Sequence, residues 1–465
     1  MKSVQEFYKD KTIFITGGSG FMGKVLIEKL LYSCSDLKQI ILLIRSKNGK
    51  DEITRVKEFQ KHSLFERIMK EKPKVMEKLK VISGEISQTN IGMSDENMQF
   101  VIDNTNIIFH VAASINLKAS LKHNTLINFI ATKKVLEIAK KIKNLTIMVH
   151  VSTAFCNAGF SECKELVYDS TCDPLEIIKL VKSEDENSLV AIEKKLLERY
   201  PNTYLLTKRL AENLVKEEFD KNLPVCILRP SIVGPTLKEP FVGWEDSPSA
   251  LTGVPLMVYT EVLRCMRVNL EAKFNFIPVD VAINGFIMAA KYHGCEASRN
   301  ENVPVYNLTI DEQVVPSYKE FFTVLNSLKH VYPFASSLWY PNIMTTTNKV
   351  KYLINTLLFQ WFPAIVIDIL LTIVRRKRLM IETQSKITSG MKILEYFTLN
   401  NWRLKSNKFD DLIKIQSHDD YKRFFIDTKK INFEKYFEDS IITARILHGK
   451  DPLSTLSRAK IVFKM

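Results

Sequence analysis

The chain has 465 residues, 46% apolar and 25% charged, a globular balance that excludes wholesale disorder and leaves room for two domains or three. Lys and Arg (66) outnumber Asp and Glu (52) for a formal charge of +14, yet no zinc-finger spacing or aromatic-flanked basic motif is present. Nucleic acid therefore ranks below phosphate-bearing small molecules and an anionic membrane surface as the reason for the excess. Seven cysteines, an odd number without a C-x-x-C, point to reduced thiols in a cytosolic compartment. Neither end carries a recognisable signal peptide, prenylation signal or peroxisomal signal, and no metal ligand set is expected.

Thr12–Thr16 reads as a buried strand, followed at once by Gly17-Gly18-Ser19-Gly20-Phe21-Met22-Gly23 and a helix with Val25, Leu26, Leu30 and Leu31 on its apolar face. Strand, glycine turn and helix in that order are what a dinucleotide phosphate needs. Gly17 permits the tight turn, Gly20 the close backbone approach and Gly23 the helix–strand packing. The same letters nearly spell a nucleoside-triphosphate loop, but Val25 stands where Ser or Thr must hold magnesium, so that reading is rejected. A second strand, Gln39–Ile44, ends at Arg45-Ser46-Lys47. Cations at this position suit the 2′-phosphate of NADP, whereas NAD sites usually place a carboxylate there.

A charged helical region (Asp51–Lys80) leads to strands at Val81–Ser83 and Asn106–His110. The latter runs into Val111-Ala112-Ala113, small residues against which a ribose and nicotinamide can lie. Ala119–Ile142 reads as a long amphipathic helix containing Asn128, and Thr146–Val151 as a strand ending in Ser152-Thr153-Ala154. Strands alternating with helices on this rhythm predict an α/β doubly wound parallel sheet. Its ligands sit beyond the carboxyl ends of the strands, where the glycine turn, Arg45, Ala112 and Thr153 all fall.

Asn202–Glu217 carries Leu205, Leu206, Leu210, Ala211 and Leu214 at helical spacing, and one turn stacks Tyr204 over Lys208. An ammonium beside a phenol is expected to lower the tyrosine pKa toward the working pH, and such a tyrosine can protonate a carbonyl oxygen as hydride arrives at its carbon. Taken alone, the pair reads first as an ordinary pair on a surface helix. The glycine turn, Arg45 and Thr153 at neighbouring strand ends favour the catalytic reading.

Together the glycine turn, Ser152-Thr153 and Tyr204-x3-Lys208 resemble an extended short-chain dehydrogenase/reductase. Finer matches are Thr16–Leu30, Leu42–Lys47, Phe109–Ala113, His150–Phe155, Leu228–Val233, Glu239–Trp244 and Ile277–Asp280. They resemble the alcohol-forming fatty acyl-CoA reductases over nearly the whole chain. The resemblance implies a Rossmann-type domain over residues 1–340 and a smaller, mainly helical domain over 341–465. It also implies reduction of long-chain acyl-CoA to primary alcohol by two NADPH through a retained aldehyde. By similarity Thr153 holds the carbonyl, Tyr204 donates the proton, and Lys208 holds the ribose and tunes Tyr204. Gly17, Gly20, Phe21, Met22, Gly23, Arg45, Lys47, Ala112, Ala113, Asn128, Lys208, Pro230 and Ile232 are the expected cofactor contacts. Asn128 either joins a water relay to Lys208 or packs structurally.

One segment departs from the family pattern. Where a glycine-rich loop is usual, the chain reads Ala250-Leu-Thr-Gly253 and then Met257-Val-Tyr-Thr-Glu261, with Glu261 expected to repel a phosphate. Ala131 and Glu85 also replace usual family residues. These changes keep an altered-specificity or inactive NADP-binding paralogue as an alternative, ahead of a nucleotide-sugar-modifying enzyme. Finally, Tyr352–Val374 is the most apolar stretch, interrupted by Gln360, Pro363 and Asp368 and followed by Arg375-Arg376-Lys377-Arg378. It reads either as a buried helical pair broken at Pro363 or as a shallow hairpin in the cytosolic leaflet, anchored by the basic cluster. A membrane-associated, cytosol-facing protein is expected, first at the endoplasmic reticulum, with peroxisome or lipid droplet as alternatives.

Overall fold

The structure is a computed structural model that describes residues 2–45, 49, 51–170, 172–197, 200–295, 301–334 and 342–464, with backbone alone from 461. The chain divides into two compact units: Met1–Val233, Ile277–Glu312 and Leu404–Thr428, and Gly234–Phe276, Gln313–Arg403 and Lys429–Met465. Neither is a continuous half of the chain, because segments from both sides of residue 340 enter each.

The first unit is built on β1 (Thr12–Thr16), β2 (Gln39–Ile44), β3 (Leu79–Ser83), β4 (Ile107–His110), β5 (Ile147–Val151), β6 (Val225–Pro230) and β7 (Val305–Leu308). Among the described residues these form one parallel sheet in the order β7-β6-β5-β4-β1-β2-β3. Strand order reverses between β1 and β4, which opens a crevice at their carboxyl ends. β1, β4, β5 and β6 are buried at every position, as continuous apolar runs require when helices cover both faces. The doubly wound sheet expected from the rhythm is therefore present.

Three helices of this unit position the site. α1 (Phe21–Ser33) follows β1 directly. α2 (Ala131–Lys141) continues a helix that starts at Leu121–Asn124 and passes through a π-turn, Thr125–Ile130. α3 (Thr203–Asp220) begins at Asn202, whose side chain accepts the Leu205 N–H at 3.0 Å and so satisfies one of the orphan donors of the first turn. Phe129 of the π-turn is fully buried in the cluster that holds Phe14, Leu206 and Leu210. Burial of a side chain that size contributes roughly 1.5–3 kcal/mol.

The second unit contains α4 (Ala250–Tyr259), α5 (Lys349–Ile373), α6 (Met380–Leu399) and α7 (Phe433–Leu447). Val254, Val258 and Tyr259 pack with Leu325, Leu328, Ile387, Met391 and Ile441 in its core. This corrects part of the expectation of a loop at 257–261: the helix runs through Tyr259, and Thr260 and Glu261 form the turn that follows. Met257 lies in helix, because the glycines that would break it are gone and the apolar side chains in their place join a core. Glu261 does not present a bare charge either; its carboxylate is buried and paired with Arg264 at 2.7 Å.

α5 runs against both readings left open for the apolar stretch, the buried helical pair and the hairpin, because it is one helix. It is not broken at Pro363: a π-turn at Leu357–Trp361 precedes the proline, which sits in the first turn of the segment that follows, where a missing N–H costs little. Nor is it buried, since only 22% of its most apolar window lies inside the structure. Among the described residues, it is the one helix long and apolar enough to cross a membrane.

Candidate active site

The glycine turn is built for close approach. Gly17 has φ +77°, and a Cβ there would lie 2.5 Å from the Ala112 nitrogen. A Cβ on Gly23 would lie 2.2 Å from the Gly17 carbonyl oxygen. Both are contacts a real side chain cannot make, so the turn closes only with glycine. Gly20 sits at the head of α1 without a side-chain cap, and Phe21, Met22 and Gly23 form the first turn, at the positive end of the helix dipole. A cradle that any Cβ would fill, opening on a helix N-terminus, fits the pyrophosphate of a dinucleotide.

Arg45 follows the carboxyl end of β2, half exposed, and is paired with Glu85 at 3.1 Å. Arg55, not singled out by sequence, donates to the Arg45 carbonyl. Burial and the neighbouring Arg45 charge hold its guanidinium below the usual range. Two guanidiniums thus converge beyond β2. Lys47 lies outside the described residues. An arginine eleven residues past a strand end carries no local signature, which is why Arg55 escaped notice.

Ala112 and Ala113 follow β4 and are partly exposed. Asn128, in the π-turn, ties their continuation down: its Oδ1 accepts the Ser114 N–H at 2.7 Å, and its Nδ2 donates to the Ser114 carbonyl at 3.1 Å and to Thr207 Oγ1 at 3.3 Å. The side chain neither caps a helix nor stands loose. It fastens the segment after β4 to α3. Pro230 ends β6 and accepts the Ala154 N–H at 3.0 Å, while Ile232 lies just beyond, partly exposed.

Thr153, Tyr204 and Lys208 are brought together. The Thr153 hydroxyl lies beside the Tyr204 phenol, near enough to favour its anion. Lys208, one turn along α3, donates from Nζ to the Val151 carbonyl at 2.8 Å, at the end of β5. The expected lowering of the tyrosine is corrected. Burial pushes the Tyr204 phenol well above its ordinary value, the neighbouring Cys156 adds to this, and the Thr153 hydroxyl opposes both. Desolvation of the anion wins, so Tyr204 is held as the neutral, proton-bearing form. Burial brings Lys208 down to about 8, against the pull of the Glu212 carboxylate.

Beneath this pair lies a network that spacing alone did not reveal. Glu212, one further turn along α3, is fully buried and accepts from Arg229 of β6 at 2.8 and 2.5 Å and from the Cys156 thiol at 3.2 Å. Arg229 also donates to the carbonyls of Lys164 and Leu166. Burial alone would lower Arg229, but the Glu212 charge holds it well above its usual value. The His110 and His150 rings lie 5.5 Å apart, tilted by 35°, beside Lys208. Burial, reinforced by that ammonium, keeps both rings neutral, with His110 at about 3. Glu212 at i+8 from Tyr204 was available as a signal; its partner on β6 was not.

Two profiles described as Male sterility protein match the chain, one over residues 15–286 and one over residues 359–451. Fatty acyl-CoA reductase 1 of Xenopus laevis is 36% identical over 461 residues, 99% of this chain and 89% of that protein. The Mus musculus protein of the same name is 35% identical over the same spans. Among solved structures, the terminal R domain of the myxalamid biosynthetic pathway shares the fold at TM-score 0.62 and 16% identity, over 96% of this chain and 93% of that one. A match of this length and identity, carried by both halves of the chain, means that the protein belongs to the fatty acyl-CoA reductase family.

Proposed function

We propose that this enzyme reduces long-chain fatty acyl-CoA with NADPH to a primary fatty alcohol, through an aldehyde that stays in the site, and releases CoA. The observation that carries the reading is the juxtaposition of Thr153 and Tyr204 at the carboxyl end of β5, with Lys208 fastened to the same strand end.

Gly17, Gly20, Phe21, Met22 and Gly23 would hold the pyrophosphate. Arg45 and Arg55 favour the 2′-phosphate of NADPH, and Ala112, Ala113, Asn128, Lys208, Pro230 and Ile232 would border the nicotinamide half. When bound, the reduced nicotinamide supplies hydride in both reductions. Thr153 orients the thioester carbonyl, and Tyr204 gives its proton to the oxygen as the carbon accepts hydride. The resulting thiohemiacetal collapses: the C–S bond breaks, the hydroxyl proton returns to the phenolate, and CoA leaves as the thiol after protonation. Tyr204 then protonates the aldehyde oxygen in the second reduction. Lys208, near 8, would restore the Tyr204 proton and draw its own from solvent. Two hydrides and two protons are consumed per alcohol.

A substrate with a long acyl chain partitions into membranes, which supports work at the cytosol-facing surface of an internal membrane, first of all the endoplasmic reticulum. The test is incubation of the purified protein with NADPH and a C16–C18 acyl-CoA, followed for fatty alcohol. Tyr204→Phe is expected to lower the rate by roughly 10²–10⁴-fold while NADPH still binds. NADPH binding without product at any chain length would instead support the non-catalytic paralogue, and equal rates with NADH would remove the role given to Arg45 and Arg55.

A further inference from the structure

α5 turns its polarity inside out. Its buried positions recur every fourth residue, Thr356, Gln360, Ala364 and Asp368, and form the stripe that faces the second unit. The apolar side chains point outward: Leu357, Leu358, Phe362 (63% exposed), Ile369, Leu370 and Ile373 (71% exposed). A helix in water buries its apolar stripe and exposes its polar one. The reverse order is stable only where the outer medium is itself apolar.

Gln360 and Asp368 of this stripe are both engaged. Gln360 accepts the N–H groups of Arg264 and Cys265 at 2.9 and 2.7 Å and donates to Gln384 at 3.3 Å. The Asp368 carboxylate accepts three successive N–H groups, from Leu379, Met380 and Ile381, at 2.9–3.0 Å and so caps α6. Cations lie at both ends of the apolar face: Lys349 and Lys351 at its start and Arg375-Arg376-Lys377-Arg378 at its finish, all exposed.

We propose that α5 lies in the plane of an anionic phospholipid membrane, its outer face sunk among the acyl chains and both basic clusters at the headgroups. Length alone permits a crossing, because 25 residues of helix extend about 37 Å. A crossing would tear Gln360 and Asp368 from their partners and carry a carboxylate into hydrocarbon. It would also separate the two basic clusters onto opposite sides. In-plane attachment keeps every one of those bonds and places both clusters on one charged surface. The inference rests on the reading that this reductase works at a membrane, and refines how it is held there.

The test uses the full chain and vesicles of phosphatidylcholine, alone or mixed with phosphatidylserine, separated by flotation. Flotation is expected with the anionic vesicles and to weaken on the order of tenfold at high salt. The triple variant Leu357→Gln, Phe362→Gln, Ile369→Gln, all at exposed positions, should bind on the order of 100-fold more weakly. Its circular dichroism and its NADPH-dependent turnover of detergent-dispersed acyl-CoA should not change. Loss of turnover in the unaltered chain would sink the reductase reading and leave the flotation result standing. Undiminished flotation of the triple variant would overturn the membrane face. So would its replacement by a concentration-dependent dimer that the same substitutions abolish. On a Cys295→Ser background, cysteines introduced as Val350→Cys and Val374→Cys should both react from outside with a membrane-impermeant thiol reagent. Protection of one end alone would show a crossing and refute the in-plane arrangement.

Discussion

α3 and α5 both turn polar side chains toward protein, and the rest of each helix explains why the outcomes differ. In α3 the polar row Lys208 and Glu212 is buried alongside Leu206, Leu210, Ala211 and Val215. Its charges are desolvated within a well-packed core and answered by Arg229 and the Val151 carbonyl. In α5 the polar row is buried and the apolar rows are not. Burial of charge in α3 is therefore sustained by hydrophobic packing on its other faces, and it produces groups with shifted proton affinity. Burial of polarity in α5 only fastens the helix, and leaves its hydrophobic free energy to be gained outside the chain.

That contrast can be broken most decisively at Arg229. Arg229→Ala leaves Glu212 buried without its cation, and should destabilise the fold by about 3–5 kcal/mol in denaturant titration. Arg229→Met combined with Glu212→Leu should recover much of that loss. A small cost for the single change would mean that the network is not as desolvated as its burial indicates. Gln360→Ala tests the same idea on α5, where it strands the N–H groups of Arg264 and Cys265. A loss of about 1–3 kcal/mol is expected, smaller because no charge is left behind.

The shifted proton affinity has its own readout. Below about 8 Lys208 is an ammonium and above it an amine. If the ammonium is the working form, kcat/KM for NADPH falls as pH rises through 8, about tenfold per pH unit. Lys208→Arg, which keeps its charge, should carry that limb out of range. A limb near 8 that persists in Lys208→Arg belongs to another group. The smallest effect is expected on the outer face of α5: Phe362→Gln should change stability in solution by no more than about 0.5 kcal/mol. The matching change in α3, Leu210→Gln, should cost several times more.

How much of this was legible depended on distance along the chain. The glycine turn could be read because Gly17, Gly20 and Gly23 answer one local need, and the α3 pair because one helical turn defines it. Thr153 followed from being at the end of an apolar strand. By contrast, Glu212 meets Arg229 seventeen residues later and Cys156 fifty-six residues earlier, and no periodicity links them. The segment at 257–261 was read as a loop because glycine was expected nearby; the helix that runs through Tyr259 is held by partners such as Leu325 and Ile441 that lie far off in sequence.

The sequence by itself determined the alternating sheet, the cradle at Gly17–Gly23, and the stacking of Tyr204 over Lys208. Each depends on backbone geometry within a few residues. Only the tertiary structure decided that Tyr204 stays protonated, since burial, and not the neighbouring ammonium, governs its phenol. It alone decided that Gln360 and Asp368, which looked like flaws in an apolar stretch, are the bonds that hold its hydrophobic face outward. Desolvation and burial are set by everything packed around a residue, and that surrounding comes from the whole chain.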